Sequence, residues 1–280
     1  MRIDAHQHYW SLRRGDYTWL NSSDTALYRD FLPAELRGTL ADCGIRATVL
    51  VQAAATEAET RFLFDLAQRH SSIAGVVGWV DFEAADVRNR IRRLQLDGGG
   101  KLKGFRPMVQ DIPDPDWLAR DSLDTAFNAL CESELVFDAL VLPIHFGALA
   151  QRLRKHPTLC AVLDHAGKPE VSPAGFAAWS RQIAQISRID NLHCKLSGLL
   201  TQFPHTVDAQ ELKPFVEHIF ACFGGERVLW GSDWPVSTLR VTYRDWLDMS
   251  SDLVHEHCPT HVAAVFGSNA ASLYRLEING

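Results

Sequence analysis

Two histidines one residue apart, His6 and His8, stand near the start of the chain. Imidazole is the side chain that most readily binds a metal or moves a proton near neutral pH. On a β-strand, residues i and i+2 point to the same face. If Ile3–His8 is extended, both rings converge on one point, as a metal or a polarised carbonyl requires. Three later runs end in groups of matching chemistry. Val162-Leu163-Asp164-His165-Ala166-Gly167-Lys168-Pro169 ends an apolar run with a histidine and a turn, and Trp230-Gly231-Ser232-Asp233-Trp234-Pro235 ends one with a carboxylate. Phe105-Arg106-Pro107 ends another with a guanidinium.

These groups meet only if the elements carrying them do. Eight β-rich runs recur along the chain: Ile3–His8, Ala47–Gln52, Ile73–Asp81, Leu102–Pro107, Leu135–Leu142, Leu159–His165, Leu192–Ser197 and Val228–Ser232. Most are compact and apolar, which suits strands buried on both faces of a parallel sheet. Helical patterns fill the intervals, at Glu57–His70, Arg88–Leu96, Ser122–Ser133 and Ala148–His156. The alternation predicts an α/β fold, a single-domain (β/α)8 TIM barrel over residues 1–280, with an open doubly wound sheet as its rival. In a closed barrel the eighth strand neighbours the first, so Asp233 would lie beside His6 and His8, with His165 across the mouth. The long segment Tyr9–Arg46 after the first strand is rich in aromatics (Tyr9, Trp10, Tyr17, Trp19, Tyr28, Phe31). It forms either a wall over the site or a small core against the barrel rim.

Composition excludes several classes. Of 280 residues, 46% are hydrophobic and 22% charged, enough for a large core and unlike a disordered chain. The net charge of −6, with Lys and Arg scattered, argues against a nucleic-acid partner. No run is long and apolar enough for a membrane span, and the first residues lack the apolar stretch of a signal peptide. Six cysteines far apart, with no C-x-x-C pair, predict a reduced, cytoplasmic compartment. A serine-nucleophile elbow, G-x-S-x-G, is absent, and Gly98-Gly99-Gly100 lacks the ending of a phosphate loop.

Taken with the closing Phe266-Gly267-Ser268-Asn269-Ala270, the opening IDAHQHYW, Asp30-Phe31-Leu32-Pro33 and Lys195-Leu196-Ser197-Gly198-Leu199, these motifs resemble the amidohydrolase superfamily. The resemblance is to its amidohydrolase-2 branch of sugar lactonases and covers nearly the whole chain. It implies a (β/α)8 barrel hydrolysing a cyclic ester, with sugar-acid lactones such as fuconolactone or related aldonolactones as substrates. By the same resemblance, His6, His8, His165 and Asp233 are the catalytic set and the ligands of one divalent metal, zinc by preference, which activity need not require. Lys101 and Lys103 have the wrong surroundings to bridge a second metal. Asp233 would take a proton from water, and the three imidazoles would polarise the carbonyl directly or through the metal. Arg106, Gln52 and first-loop aromatics such as Trp10 would position the substrate. A non-oxidative decarboxylase of an aromatic or keto acid is the alternative on this scaffold.

Other residues carry weaker signals. Gln52 faces the mouth or sits satisfied in the core, and His145 is expected at a helix entry. Asp138 is expected as a buried, hydrogen-bonded carboxylate, Lys168 in a salt bridge at the rim, and Lys195 inside the barrel with a carboxylate partner. The tail cluster His255-Glu256-His257-Cys258-Pro259, with His261, has zinc-binding residue types but precedes a helix expected near Pro259. Positions i and i+2 share no helix face, so surface or capping roles are expected there.

Overall fold

Each apolar run becomes a parallel strand because helices cover one face of the sheet and the opposite strands cover the other. The computed structural model describes residues 1–278. Its strands are β1 (Arg2–Gln7), β2 (Ile45–Val51), β3 (Ile73–Gly78), β4 (Leu102–Phe105), β5 (Val136–Ala139), β6 (Ala161–Leu163), β7 (Leu192–Leu196) and β8 (Val228–Trp230). They pair in sequential order from β1 to β8, which excludes the doubly wound rival with its reversal of strand order. Two backbone hydrogen bonds close the ring. Asp233 N donates to His6 O, and His8 N donates to Trp234 O, each at 2.8 Å. Closure of the barrel and assembly of the site are therefore the same event.

The principal helices are α1 (Pro33–Asp42), α2 (Glu57–Arg69), α3 (Val87–Asp97), α4 (Asp124–Glu132), α5 (Phe146–Lys155), α6 (Pro173–Ile186), α7 (Ala209–Phe223), α8 (Tyr243–His257) and the short α9 (Asn269–Leu273). Their starts follow local chemistry. Thr56 caps α2 by accepting from Glu59 N, and Ser172 caps α6 from Gly175 N ahead of Pro173. The buried face of α2 is built from Leu63, Phe64, Leu66 and Ala67.

Inside the barrel, side chains from strands all around it meet in one small cluster that includes Ile3, Val49, Val136, Val162 and Leu229. Leu273 and Tyr274 join it from the chain's end. The Tyr274 hydroxyl donates to Asp138, 2.9 Å away. There the apolar filling gives way to fully buried charge: Asp138, Asp164 and Lys195. Strands β3 and β6 end earlier than their sequences suggest, at Gly78 and Leu163. After β6 the backbone turns into left-handed conformations, so His165 projects from the turn and not from the strand. The six cysteines are unpaired, and no helix among the described residues is long and apolar enough to cross a membrane.

Candidate active site

At the mouth, His6 and His8 approach with their Nε2 atoms 3.2 Å apart. Asp233 Oδ1 lies 3.3 Å from His8 Nε2, 3.7 Å from His6 Nε2 and 4.0 Å from His165 Nε2. All four residues are buried. Asp233 reaches this position through a left-handed backbone, φ 55°. His165 is seated against glycine: a Cβ on Gly198, whose φ is +61°, would stand 2.2 Å from His165 Nδ1.

The far side of each ring is held differently. His8 Nδ1 lies 2.8 Å from Val51 O, an acceptor only, so that nitrogen carries the proton. His165 Nδ1 pairs with Ser197 Oγ at 2.9 Å. His6 Nδ1 instead meets the Lys195 ammonium at 3.0 Å, with Asp164 Oδ1 at 3.5 Å. An ammonium only donates, which leaves the His6 proton on Nε2, facing the site.

Beneath the imidazoles lies a closed ionic layer. Lys195 Nζ is 2.5 Å from Asp138 Oδ2 and 3.1 Å from Asp164 Oδ1, and Arg106 Nη1 is 3.4 Å from Asp164 Oδ2. His6, Asp138 and Asp164 form a group with metal-ligand spacing, but the cation at its centre is the Lys195 ammonium. Burial pushes the Asp138 carboxyl up to about 6, against the pull of Lys195. Asp164 is buried as deeply, yet Lys195 and His6 hold it well below the usual carboxylate range. Burial also brings His165 down to about 4, and burial with the Lys195 charge takes His6 well below its ordinary value. At Asp233 burial works the other way, but His165 and the other two imidazoles outweigh it and keep the carboxyl ionised. The mouth thus presents a carboxylate base beside the neutral imidazoles of His6 and His165.

The same atoms fit a divalent ion. A tetrahedral zinc with bonds of 2.0–2.1 Å has donor atoms about 3.4 Å apart. The 3.2–4.0 Å separations here bracket that value, and His6, His165 and Asp233 form a group with metal-ligand spacing. His8 and His165 are oriented through their second nitrogens, as metal-bound histidines are. For His6 to bind through Nε2, its proton must move to Nδ1, toward Asp164.

Above the four groups is a cavity of about 260 Å³, walled by Arg106, Trp19, Met108, Gln110, Lys168 and Thr201, among others. Sequence reasoning named Trp10 as a substrate contact, and this is corrected: the residue is fully buried, its indole N–H spent on Arg29 O and its ring against Phe31. Trp19, from the same loop, lines the cavity, pinned by a 2.7 Å hydrogen bond to Ala53 O. Gln52 also lies behind the wall. It is fully buried, its side-chain amide donates to Arg106 O at 2.7 Å and its backbone carbonyl accepts from Arg106 Nη2, so it positions Arg106. Lys168 lines the cavity instead of pairing with a carboxylate at the rim. His145 sits in the helix entry before α5, its Nδ1 accepting from Leu142 N, and Asp138 lies below the floor. In the tail, His255 and His257 end α8, a further helical stretch begins at Pro259 as expected, and His261 within it lies 3.6 Å from Glu226.

Residues 3–276 match the amidohydrolase family. The chain belongs to that family. As an amidohydrolase it is 40% identical to the L-fucono-1,5-lactonase of Burkholderia ambifaria over 99% of this chain and 96% of the relative. It is 32% identical to the L-fucono-1,5-lactonase of Burkholderia multivorans, again over 99% and 96%. A zinc-bound crystal structure of an amidohydrolase from Burkholderia multivorans superposes with a TM-score of 0.93 at 30% identity, covering 99% of this chain and all of the other.

Proposed function

We propose that this amidohydrolase opens sugar-acid lactones of the L-fucono-1,5-lactone type by direct attack of water. The observation that carries this reading is Asp233: a buried carboxylate kept ionised within 4.0 Å of three imidazoles, facing a small cavity that Arg106, Gln110 and Lys168 also line. Its likeness to two L-fucono-1,5-lactonases supports the choice of substrate.

Asp233 holds the water and takes its proton as general base. Its low proton affinity makes it a modest base, and its conjugate acid correspondingly gives the proton back readily. The carbonyl oxygen is polarised by N–H donors of His6 and His165, with the Arg106 guanidinium 3.3 Å from His6 Nε2 adding positive charge. His8, whose ring proton faces Val51 O, contributes there only by holding a metal through Nε2. One well-placed donor to a developing oxyanion commonly contributes about 2.7–4 kcal/mol. A lactone is an activated ester, so a few such donors suffice. The proton on Asp233 then passes to the departing ring oxygen. Zinc, when held by His6, His8, His165 and Asp233, would supply Lewis acidity at the carbonyl. We take it to be dispensable, because the imidazole N–H donors and the positive charge of Arg106 already favour the oxyanion that develops there. Arg106, Gln110, Asp111, Lys168 and Thr201 bring hydrogen-bonding groups to the cavity wall, which suits the hydroxyls of a sugar ring. The unpaired cysteines support a cytoplasmic setting.

The test is a pH-indicator assay on chelator-treated protein against a panel of aldonolactones, repeated with added zinc. Proton release from L-fucono-1,5-lactone without metal and without CO₂ is the expected result. No proton release from any aldonolactone in either condition would overturn the assignment.

A further inference from the structure

Four consecutive residues, His165, Ala166, Gly167 and Lys168, have positive φ: 55°, 50°, 70° and 54°. For a non-glycine residue such a backbone costs roughly 1–2 kcal/mol, and strain of this kind persists where the surroundings impose it. Here Trp179 Nε1 donates to Ala166 O at 2.8 Å and anchors the turn. His165, at one end, is accounted for by the site. The other end delivers Lys168 to the cavity wall.

Lys168 differs from the other cations nearby. Lys195 and Arg106 both have carboxylate partners. The Lys168 ammonium donates to the neutral amide oxygen of Gln110 at 2.6 Å, and among the described residues no carboxylate lies within salt-bridging distance of it. An ammonium has three donors, so Gln110 leaves capacity for a ligand. Burial lowers its proton affinity, which makes it a better hydrogen-bond donor.

The tetrahedral carbon formed from a lactone carries three oxygens: the attacking water's, the former carbonyl's and the ring's. Asp233 serves the first, and the imidazoles with Arg106 serve the second. We propose that Lys168 is the catalytic residue for the third, hydrogen-bonding the ring oxygen as its bond to carbon breaks. This rests on the lactone-opening reading above. Water adds to the carbonyl carbon and gives one proton to Asp233. The C–O ring bond then breaks with its electron pair on the ring oxygen, which Lys168 stabilises until the proton from Asp233 arrives. The acid formed ionises and releases one proton to solvent, so the balance closes with Lys168 unchanged.

A group serving the leaving oxygen matters most when that oxygen leaves poorly. Phenols ionise near pH 10, as tyrosine does, and alcohols far less readily. We therefore compare wild type, Lys168→Met and Lys168→Arg on L-fucono-1,5-lactone and on an aryl lactone of the dihydrocoumarin type. Lys168→Met should lose about 100-fold in kcat on the sugar lactone, the scale of one lost oxyanion donor, but less than about 3-fold on the aryl lactone. Lys168→Arg, which keeps the charge, should recover at least a tenth of the sugar-lactone rate. Equal losses on both substrates, or no rescue by arginine in a folded variant, would overturn the role of Lys168. Failure of wild type on every sugar lactone would instead overturn the reading on which it rests.

Discussion

Two sets of three histidines stand out along the chain, and only one of them converges. His6, His8 and His165 come from the ends of β1 and β6, where barrel closure brings remote segments together around Asp233. His255, His257 and His261 come from the last turn of α8 and the short helical turn after it. There the rings part: His255 turns back to Ser251 O, and His261 faces Glu226. Identical side chains thus have opposite fates, decided by the period of the element and by what lies opposite. The mouth triplet also has a foundation that the tail lacks. Lys195 and Arg106 neutralise Asp138 and Asp164 directly below it.

Removing that foundation should have the largest effect. Lys195→Met leaves two buried carboxylates short of a cation, and breaking a buried pair from one side typically costs about 3–5 kcal/mol. Denaturant unfolding should show a loss of that size, and stability equal to wild type would contradict the layer's role. Next, Gly198→Ala forces a methyl group onto His165 at a left-handed backbone position. Misplacing a catalytic group by an ångström can cost about 100-fold, so kcat should fall by that order. A near-normal rate would show that His165 need not keep its place.

The pH dependence separates the triplets in another way. With His165 held to about 4, protonation there comes only in acid, and the added positive charge weakens Asp233 as a base. The acid limb of kcat/KM should therefore fall near pH 4. A limb near 6.5, the value of an unperturbed histidine, would place a different group in control. The smallest effect belongs to the tail: His257→Ala and His261→Ala should each change stability by no more than about 0.5 kcal/mol and leave turnover unaltered. A loss of activity in either variant would make the tail part of the site.

How much of this was legible in the sequence follows from range. The eight strands were readable because each is a short apolar run needing only local pattern, and His6, His8, Arg106, His165 and Asp233 were readable because each closes such a run. Ranking Trp10 above Trp19 failed because nothing in the composition of a loop says which aromatic turns inward. Trp10 pairs with Phe31 through the backbone and is covered, and Trp19 is left over the mouth. Gln52 is at a strand end but turns sideways to Arg106, a contact 54 residues away in sequence. Lys168 was placed at the rim because the run of left-handed residues that turns it inward includes two non-glycine positions before it, which sequence does not flag. Lys195 was expected inside the barrel with a carboxylate partner, and it is, but its contact with His6 needed the arrangement of strands across the barrel.

The central claim is that Asp233 activates water for attack on a lactone without obligatory metal. The most direct measurement is kcat and KM of Asp233→Asn against wild type on L-fucono-1,5-lactone, with both proteins chelator-treated. General-base catalysis is worth about 10²–10⁴-fold, so kcat should fall by that range with KM changed far less. A variant that keeps most of its turnover would contradict the account.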